Sequence, residues 1–130
     1  MSQTLLTPAR PAGHPAGRLK RRAEFLRVAA KGRKTATHGL VLQALHRDDQ
    51  GPARIGFTVT KKIGNAVVRN RTRRRLKEAA RLELAGRQVS GVDLVLIGRE
   101  ATRGREFLDL RDDFRRALRK AGVGLESPAR

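Results

Sequence analysis

The sequence predicts a single α+β domain whose elements follow the order α-β-β-β-α-β-α, with a four-stranded sheet and helices mostly on one side of it. A chain of 130 residues is long enough for one domain with its own apolar core. Short segments in which apolar residues alternate or run together are typical of strands. Three other segments repeat apolar residues at the spacing of helices.

The predicted domain covers residues 18–122 and is flanked by two tails. Residues 1–17 contain three of the five prolines of the chain, and this composition predicts a disordered tail. We also expect residues 123–130 to form a flexible C-terminal tail.

The first helix is predicted at residues 22–31, because Phe25, Val28 and Ala29 recur at i, i+3 and i+4 and Gly32 can end it. Phe25 has two possible roles. It shares an apolar stripe with Val28, which favours core packing, but a phenylalanine in an open cleft could stack on an unpaired base. The sequence leaves both interpretations open.

Three strands are predicted between the first and second helices. Two of them, at 34–38 and 39–47, precede a turn at 48–52 that is rich in Asp, Gly and Pro. The third strand, at 54–60, alternates cleanly and places three apolar side chains on one face: Ile55, Phe57 and Val59.

The second helix is predicted from Ala66 to Ala85, after a Gly-Asn turn and before Gly86. One narrow stripe of this helix can face a core, and it consists of Val68, Thr72, Leu76, Ala79 and Glu83. Cations occupy the remaining circumference, so most of the helix surface should be exposed.

The last strand and the last helix complete the predicted order. Residues 92–98 are nearly all apolar, which predicts an interior strand covered on both faces. The final helix is predicted at residues 105–121, before Gly122. Its apolar face consists of Phe107, Leu110, Phe114, Ala117, Leu118 and Ala121.

The composition indicates what the domain binds and where it works. Thirty Lys and Arg residues against twelve Asp and Glu residues give a formal net charge of +18, which is typical of nucleic-acid binding. The chain has no cysteine, no apolar run that could cross a membrane and no apolar export segment. We therefore expect a cytoplasmic protein with no membrane partner.

The second helix carries the strongest binding signal. Residues 66–84 contain seven cations and two acids, although like charges four residues apart destabilise an isolated helix. Such a surface predicts a phosphate-rich partner. The residues expected to bind it are Lys61, Lys62, Asn65, Arg69, Asn70, Arg71, Arg73, Arg74 and Lys77.

No catalytic residue and no metal site are predicted in the chain itself. Asp112 and Asp113 lie among arginines in a predicted helix, where we expect a solvated ion-pair face. His14, His38 and His46 do not have the spacing of metal ligands.

Residues 61–78, with the sequence KKIGNAVVRNRTRRRLKE, resemble the signature of the protein subunit of bacterial ribonuclease P. The resemblance extends over residues 18–121. Its flanking matches lie in the first helix (LKRRAEFLRV, residues 19–28), at Gly56 and Val59 before the signature, and at Asp93 in the last strand.

The resemblance implies the protein subunit of a ribonucleoprotein endoribonuclease that removes the 5′ leader from precursor tRNA. The implied partners are a catalytic RNA and precursor tRNA, with no protein partner evident. The RNA subunit with Mg²⁺ is implied to carry out the hydrolysis. The implied fold is similar to a domain of ribosomal protein S5, with a left-handed βαβ crossover that departs from the usual right-handed rule.

By position, the resemblance also implies a leader-binding site formed by Phe25, Arg21 and Arg22. The chain departs from the family pattern at two positions. Ala29 stands where the family often has a second aromatic residue, which shifts leader binding towards charge. Arg75 stands where many relatives are apolar, and we interpret it as a border position of the basic helix.

Two functions from other classes are compatible with a basic helix alone. A ribosomal or RNA-chaperone protein would use the same surface without substrate turnover, and the intact Arg69-Asn70-Arg71 segment argues against it. A protein-only nuclease would need carboxylates clustered around Mg²⁺, and the acids of this sequence are dispersed.

Overall fold

Residues 17–124 form a mixed β-sheet with three α-helices. They are the part of the chain that this computed structural model describes. Along the chain the elements are β1 (Gly17–Arg18), α1 (Arg22–Lys31), β2 (Arg33–Ala36), β3 (Leu40–His46), β4 (Arg54–Thr58), α2 (Ala66–Leu84), β5 (Val92–Gly98) and α3 (Phe107–Lys120). Two short 3₁₀ turns, Lys61–Ile63 and Glu100–Arg103, precede α2 and α3. The predicted α+β class is confirmed.

The sheet has the strand order β1-β4-β5-β3-β2, so it contains five strands where the sequence predicts four. β4 pairs parallel with both β1 and β5, whereas β3 pairs antiparallel with both β5 and β2. The additional strand, β1, has only two residues, which is too short to produce a period of two in the sequence. The β4-α2-β5 unit joins parallel strands through a helix, and its left-handed crossover stays a prediction.

β5 lies inside the sheet and is covered on both faces, as its apolar sequence predicts. Leu94 and Leu96 belong to the main core, with Leu76 of α2 and Phe114 of α3. Val95 points to the opposite face, where it packs in a smaller cluster with residues of α1. α2 and α3 therefore lie on one side of the sheet and α1 lies on the other.

The end of α3 extends the ordered structure beyond residue 122. Gly122 has a φ of 77°, and the amides of Gly122 and Val123 donate to the carbonyls of Arg119 and Leu118. This pair of bonds is a Schellman motif, and it turns Val123 back into the main core. The rest of the two predicted tails, residues 1–16 and 125–130, lies outside the described residues.

Asp113 corrects the prediction of a solvated ion-pair face on α3. Its side chain is fully buried and accepts hydrogen bonds from Arg105 at 2.9 Å and Arg116 at 3.1 Å. Asp112 remains partly exposed and pairs with Arg115 and Arg116. The two neighbouring acids differ because α3 packs against β3, which covers one side of the helix only.

Candidate nucleic-acid interface

A tight turn begins the basic helix. Gly64 has a φ of 155°, a backbone conformation that residues with side chains rarely adopt. The side-chain oxygen of Asn65 then accepts a hydrogen bond from the amide of Val68 at 3.0 Å, which makes Asn65 the N-cap of α2. Asn65 is a predicted binding residue, and in the structure its side-chain oxygen holds the start of the helix.

The buried side of α2 is narrow, as its sequence predicts. Thr72, Leu76, Ala79, Ala80 and Glu83 are buried. The opposite side carries six cations that have no carboxylate within ion-pair distance anywhere in residues 17–124: Arg69, Arg71, Arg73, Arg74, Arg75 and Lys77. The positive charge of this surface is therefore uncompensated within the described chain.

Most acids in residues 17–124 form ion pairs with arginines outside this surface. Glu83 accepts from Arg111 at 2.6 Å and from Arg115 at 3.1 Å, across the contact between α2 and α3. Burial alone would raise the pKa of Glu83, but the hydrogen bonds from these two arginines outweigh it and lower the pKa. Glu78 pairs with Arg81 near the end of α2. The cations in the first three turns of α2 have no carboxylate within ion-pair distance among residues 17–124.

Several of the predicted binding residues form one continuous surface. Arg73 donates to the side-chain oxygen of Asn70 at 2.8 Å, and these two residues line a shallow groove of about 260 Å³ with Arg74 and Lys77. Arg69 donates to the carbonyl of Gly64 at 3.2 Å, which fixes its direction at the start of the helix. Lys61 and Lys62 are exposed on the 3₁₀ turn just before this point.

Phe25 lies on the other side of the sheet and is only half-buried. Its ring packs against the small apolar cluster that contains Leu19, Val28 and Val95. The ring also lies over Gly56 of β4, where a Cβ atom would come within 2.5 Å of two ring carbons. One part of the Phe25 ring therefore contacts the core and another part remains accessible, and the stacking role stays a prediction.

The remaining predicted leader-binding residues are exposed beside Phe25. Arg21 and Arg22 lie at the start of α1, and both side chains face solvent. Ala29, one turn after Phe25, is also exposed. Charge rather than a second ring therefore borders Phe25 on this helix.

An ion-pair network that sequence reasoning missed attaches α1 to the sheet. Arg54 of β4 donates to Glu24 of α1 at 2.9 Å and to Asp93 of β5 at 2.8 Å. Arg47 also binds Asp93. Burial alone would raise the pKa of Asp93, but the hydrogen bonds from Arg54 and Arg47 outweigh it and lower the pKa. An acid within an apolar strand was the one signal that could have revealed this network.

Residues 17–124 contain neither a metal-binding cluster of side chains nor a membrane-spanning helix. No group of three or more His, Asp or Glu side chains is close enough to hold a metal ion in this part of the chain. Among the helices that the structure describes, none has the length and apolar character needed to cross a membrane.

The fold and the uncompensated face of α2 are those of a nucleic-acid-binding protein of the α+β class. Residues 14–122 match the family model described as Ribonuclease P. The ribonuclease P protein component of Gluconacetobacter diazotrophicus is 69% identical over 108 residues, which are 83% of this chain and 93% of that protein. The counterpart of Paramagnetospirillum magneticum is 49% identical over 110 residues, 82% of this chain and 83% of that protein. The chain belongs to the ribonuclease P protein family, as the protein component of this tRNA-processing endoribonuclease.

Two solved structures of RNase P proteins are similar in fold to this chain. The RNase P protein of Staphylococcus aureus has a TM-score of 0.69 and 27% identity, and the match covers 84% of this chain and 98% of that one. A mutant of the Staphylococcus aureus protein with defective mRNA degradation activity has a TM-score of 0.71 and 28% identity, covering 82% and 89% of the two chains.

Proposed function

We propose that this chain binds the catalytic RNA of ribonuclease P through α2 and holds the single-stranded 5′ leader of precursor tRNA against α1. In this proposal the RNA subunit carries out the hydrolysis that gives the mature 5′ end of the tRNA. The site of action is the cytoplasm.

The uncompensated cations of α2 are the observation that carries this proposal. Arginine and lysine side chains bind backbone phosphates, and each phosphate that they neutralise releases condensed counterions. The two acids of α2 are Glu78, at the end of the signature, and Glu83, beyond it, and both pair with arginines outside residues 61–78. The surface around Arg69, Asn70 and Arg71 is therefore free to bind a polyanion.

The residues on α1 support binding of the single-stranded leader. The accessible part of the Phe25 ring offers a stacking surface for one unpaired base, and such a contact is worth about 1–3 kcal/mol. Arg21 and Arg22 are close enough in sequence to bind the adjacent phosphates. Because Ala29 supplies no second ring, we expect the leader to be held more by charge than by stacking.

The Mg²⁺ ions of the reaction are assigned to the RNA subunit. Mg²⁺ is bound through carboxylates and phosphate oxygens, and the carboxylates in residues 17–124 do not form a cluster of three. Several of these acids, including Glu83, Asp93 and Asp113, are hydrogen-bonded to arginines. The protein residues do not fit a Mg²⁺ site of their own.

Reconstitution tests the proposal. The full chain is added to ribonuclease P RNA transcript from Gluconacetobacter diazotrophicus at low Mg²⁺, and 5′ maturation of a precursor tRNA is measured. We expect cleavage with both components and none with the protein alone. A mutant of the Staphylococcus aureus protein is defective in mRNA degradation activity. A linear mRNA fragment therefore serves as a second substrate for the protein alone.

Each outcome distinguishes one alternative. Tight RNA binding without stimulation of cleavage would favour the ribosomal or RNA-chaperone function. Cleavage of either substrate by protein that has been freed of RNA would contradict the assignment of hydrolysis to the RNA subunit.

A further inference from the structure

A groove of about 380 Å³ lies between α2 and the connection from β5 to α3. Three arginines line it: Arg71 and Arg75 from α2, and Arg103 from the 3₁₀ turn before α3. Arg71 is part of the Arg69-Asn70-Arg71 segment of the signature, whereas Arg75 departs from the family pattern and Arg103 lies outside the signature. The groove thus joins the signature surface to a segment that neither the signature nor the basic helix includes.

The charge of this groove is positive. Glu100 is the acid in its lining, and it pairs with Arg103 at 3.2 Å. Both side chains of this pair are largely exposed, at 46% and 73%, so the attraction is weak. Arg71 and Arg75 have no carboxylate partner among residues 17–124. The lining therefore combines three guanidinium groups with one carboxylate.

Arg75 shows an unused hydrogen-bond donor at this place. Its Nε atom is buried and has no hydrogen-bond partner in residues 17–124, while its Nη2 atom donates to the carbonyl of Arg105. Buried polar groups are almost always hydrogen-bonded, and arginine cannot lose its proton in a protein. Arg75 therefore brings to the groove a guanidinium whose hydrogen-bonding capacity residues 17–124 leave partly unused.

We propose that Arg75 and Arg103, together with Arg71, bind a phosphodiester group of the ribonuclease P RNA. The planar fork of a guanidinium matches the oxygens of a phosphate, and arginines on two elements can bind one phosphate from two sides. The proposal rests on the proposed function, because it requires α2 to contact the catalytic RNA.

The position of the groove selects the catalytic RNA over the leader. The groove is continuous with Arg71, whereas Phe25 lies on the opposite face of the sheet. Arg75 also stands where the resemblance implies an apolar residue. The groove is accordingly an additional phosphate contact of this chain, beside the surface that the signature forms.

Gly104 allows a test that leaves all three arginines in place. No heavy atom lies within 4 Å of a Cβ placed on Gly104, so a larger residue fits there. Gly104→Glu places a carboxylate at the rim of the groove, where it competes with a phosphate. The variants Arg75→Met and Arg103→Gln remove the two new contacts directly. Arg119→Gln is the control, since Arg119 is an exposed cation outside the groove.

The experiment measures the affinity of each full-length variant for the Gluconacetobacter diazotrophicus RNA transcript as a function of salt, after a thermal melt has verified folding. We expect Arg75→Met, Arg103→Gln and Gly104→Glu each to weaken binding by roughly tenfold, as for loss of a charge-assisted contact. The log–log salt slope should fall by about 0.7–0.9, the value for one phosphate. The double variant Arg75→Met with Arg103→Gln should lose less than the product of the two single effects, because both residues bind one group.

Two results separate failure of this inference from failure of the proposed function. Wild-type affinity in Arg103→Gln and Gly104→Glu, with weak binding in Arg74→Gln, would overturn the phosphate groove and leave the α2 interface intact. Wild-type affinity in all of these variants, Arg74→Gln included, would overturn both. If Arg75→Met fails to fold, Arg103→Gln and Gly104→Glu decide the question.

Discussion

Phe25 of α1 has its ring between an apolar cluster and the bare backbone of Gly56 in β4. Any side chain larger than glycine at position 56 would displace the ring. The close approach of the ring to Gly56 fixes the direction in which its accessible part points. A single residue therefore links the stability of the small cluster to the proposed leader site.

Substitution of Phe25 separates these two contributions. Phe25→Ala should lower the free energy of unfolding by about 2 kcal/mol, below the 3–5 kcal/mol of a fully buried phenylalanine, because the ring is half-buried. It should also weaken binding of precursor tRNA by about 1–3 kcal/mol in the reconstituted holoenzyme, with no effect on mature tRNA. Thermal melting and paired affinities for precursor and mature tRNA measure the two effects.

Phe25→Leu is the matched control for Phe25→Ala. Leucine keeps most of the apolar contact but cannot stack on a base, so we expect a small loss of stability together with the same loss of leader discrimination as in Phe25→Ala. If discrimination between precursor and mature tRNA stays unchanged in both variants, Phe25 is a core residue only.

Asp93 is the central acid of the network that joins α1, β4 and β5. Its side chain is 3% exposed and contacts Arg47 and Arg54. Because the folded state lowers the pKa of Asp93, its ion pairs stabilise the fold at pH values above the ordinary carboxyl pKa of 3.8 and this contribution is lost as the pH falls below it.

Asp93→Asn should therefore lower the free energy of unfolding at neutral pH by about 3 kcal/mol, since it leaves two arginines without their buried partner. The variant should also lose less stability than the wild type between pH 5 and pH 3. Urea titrations at several pH values measure both effects. Asp109→Asn, which changes an exposed acid of α3, should behave like the wild type. An acid transition of equal size in wild type and Asp93→Asn would assign the pH dependence to other carboxyls.

At the scale of single elements, the cations of α2 destabilise the helix that carries them. Repulsion between neighbouring cations disfavours it, and the N-cap at Asn65 and the packing of Leu76 and Ala79 on the sheet stabilise it. The helix holds its cations in a fixed row. Such a row can contact several phosphates at once without the cost of ordering a flexible segment.

The slope of RNA affinity against salt concentration, on log–log axes, reports how many phosphates α2 neutralises. Arg74→Ala should reduce the magnitude of the log–log salt slope by about 0.7–0.9 for the one phosphate that is lost. Arg81→Ala is the control on the same helix, because Arg81 is paired with Glu78 at 2.6 Å, and its slope should match the wild type. Unchanged slopes in Arg69→Ala, Arg73→Ala and Arg74→Ala alike would place the RNA on another surface.

At the scale of the whole molecule, the sheet separates the two proposed binding surfaces. α2 packs on one face and α1 packs on the other, so one layer of strands lies between the signature and Phe25. Such an arrangement allows the protein to lie between two RNA elements. It also makes the two functions separable by mutation.

Variants on the two faces should affect different steps. Arg22→Gln, on α1, should weaken the binding of precursor tRNA to the holoenzyme and leave the affinity for the catalytic RNA unchanged. Arg73→Gln, on α2, should weaken assembly with the catalytic RNA and leave leader discrimination unchanged once the complex is saturated. Affinity for the RNA transcript and for precursor versus mature tRNA measures the two steps, and a variant on one face that changed both equally would contradict the separation.

The sequence by itself determined the features that depend on local order. α1 lies at the predicted residues 22–31 and β5 at the predicted 92–98, because helical and strand periodicity and the flanking glycines act over a few residues. The basic surface of α2 was also predictable, since seven cations with two acids leave excess charge in any fold. The resemblance named the family on this same segment.

The tertiary structure alone decided which distant residues meet. Arg54 and Asp93 are 39 positions apart in sequence, and they pair because β4 and β5 are adjacent strands in parallel register. Asp113 is buried and Asp112 is not, because β3 covers only one side of α3. β1 forms because it can add to the edge of β4. Strand register and helix packing depend on the whole chain, so no local pattern encodes these contacts.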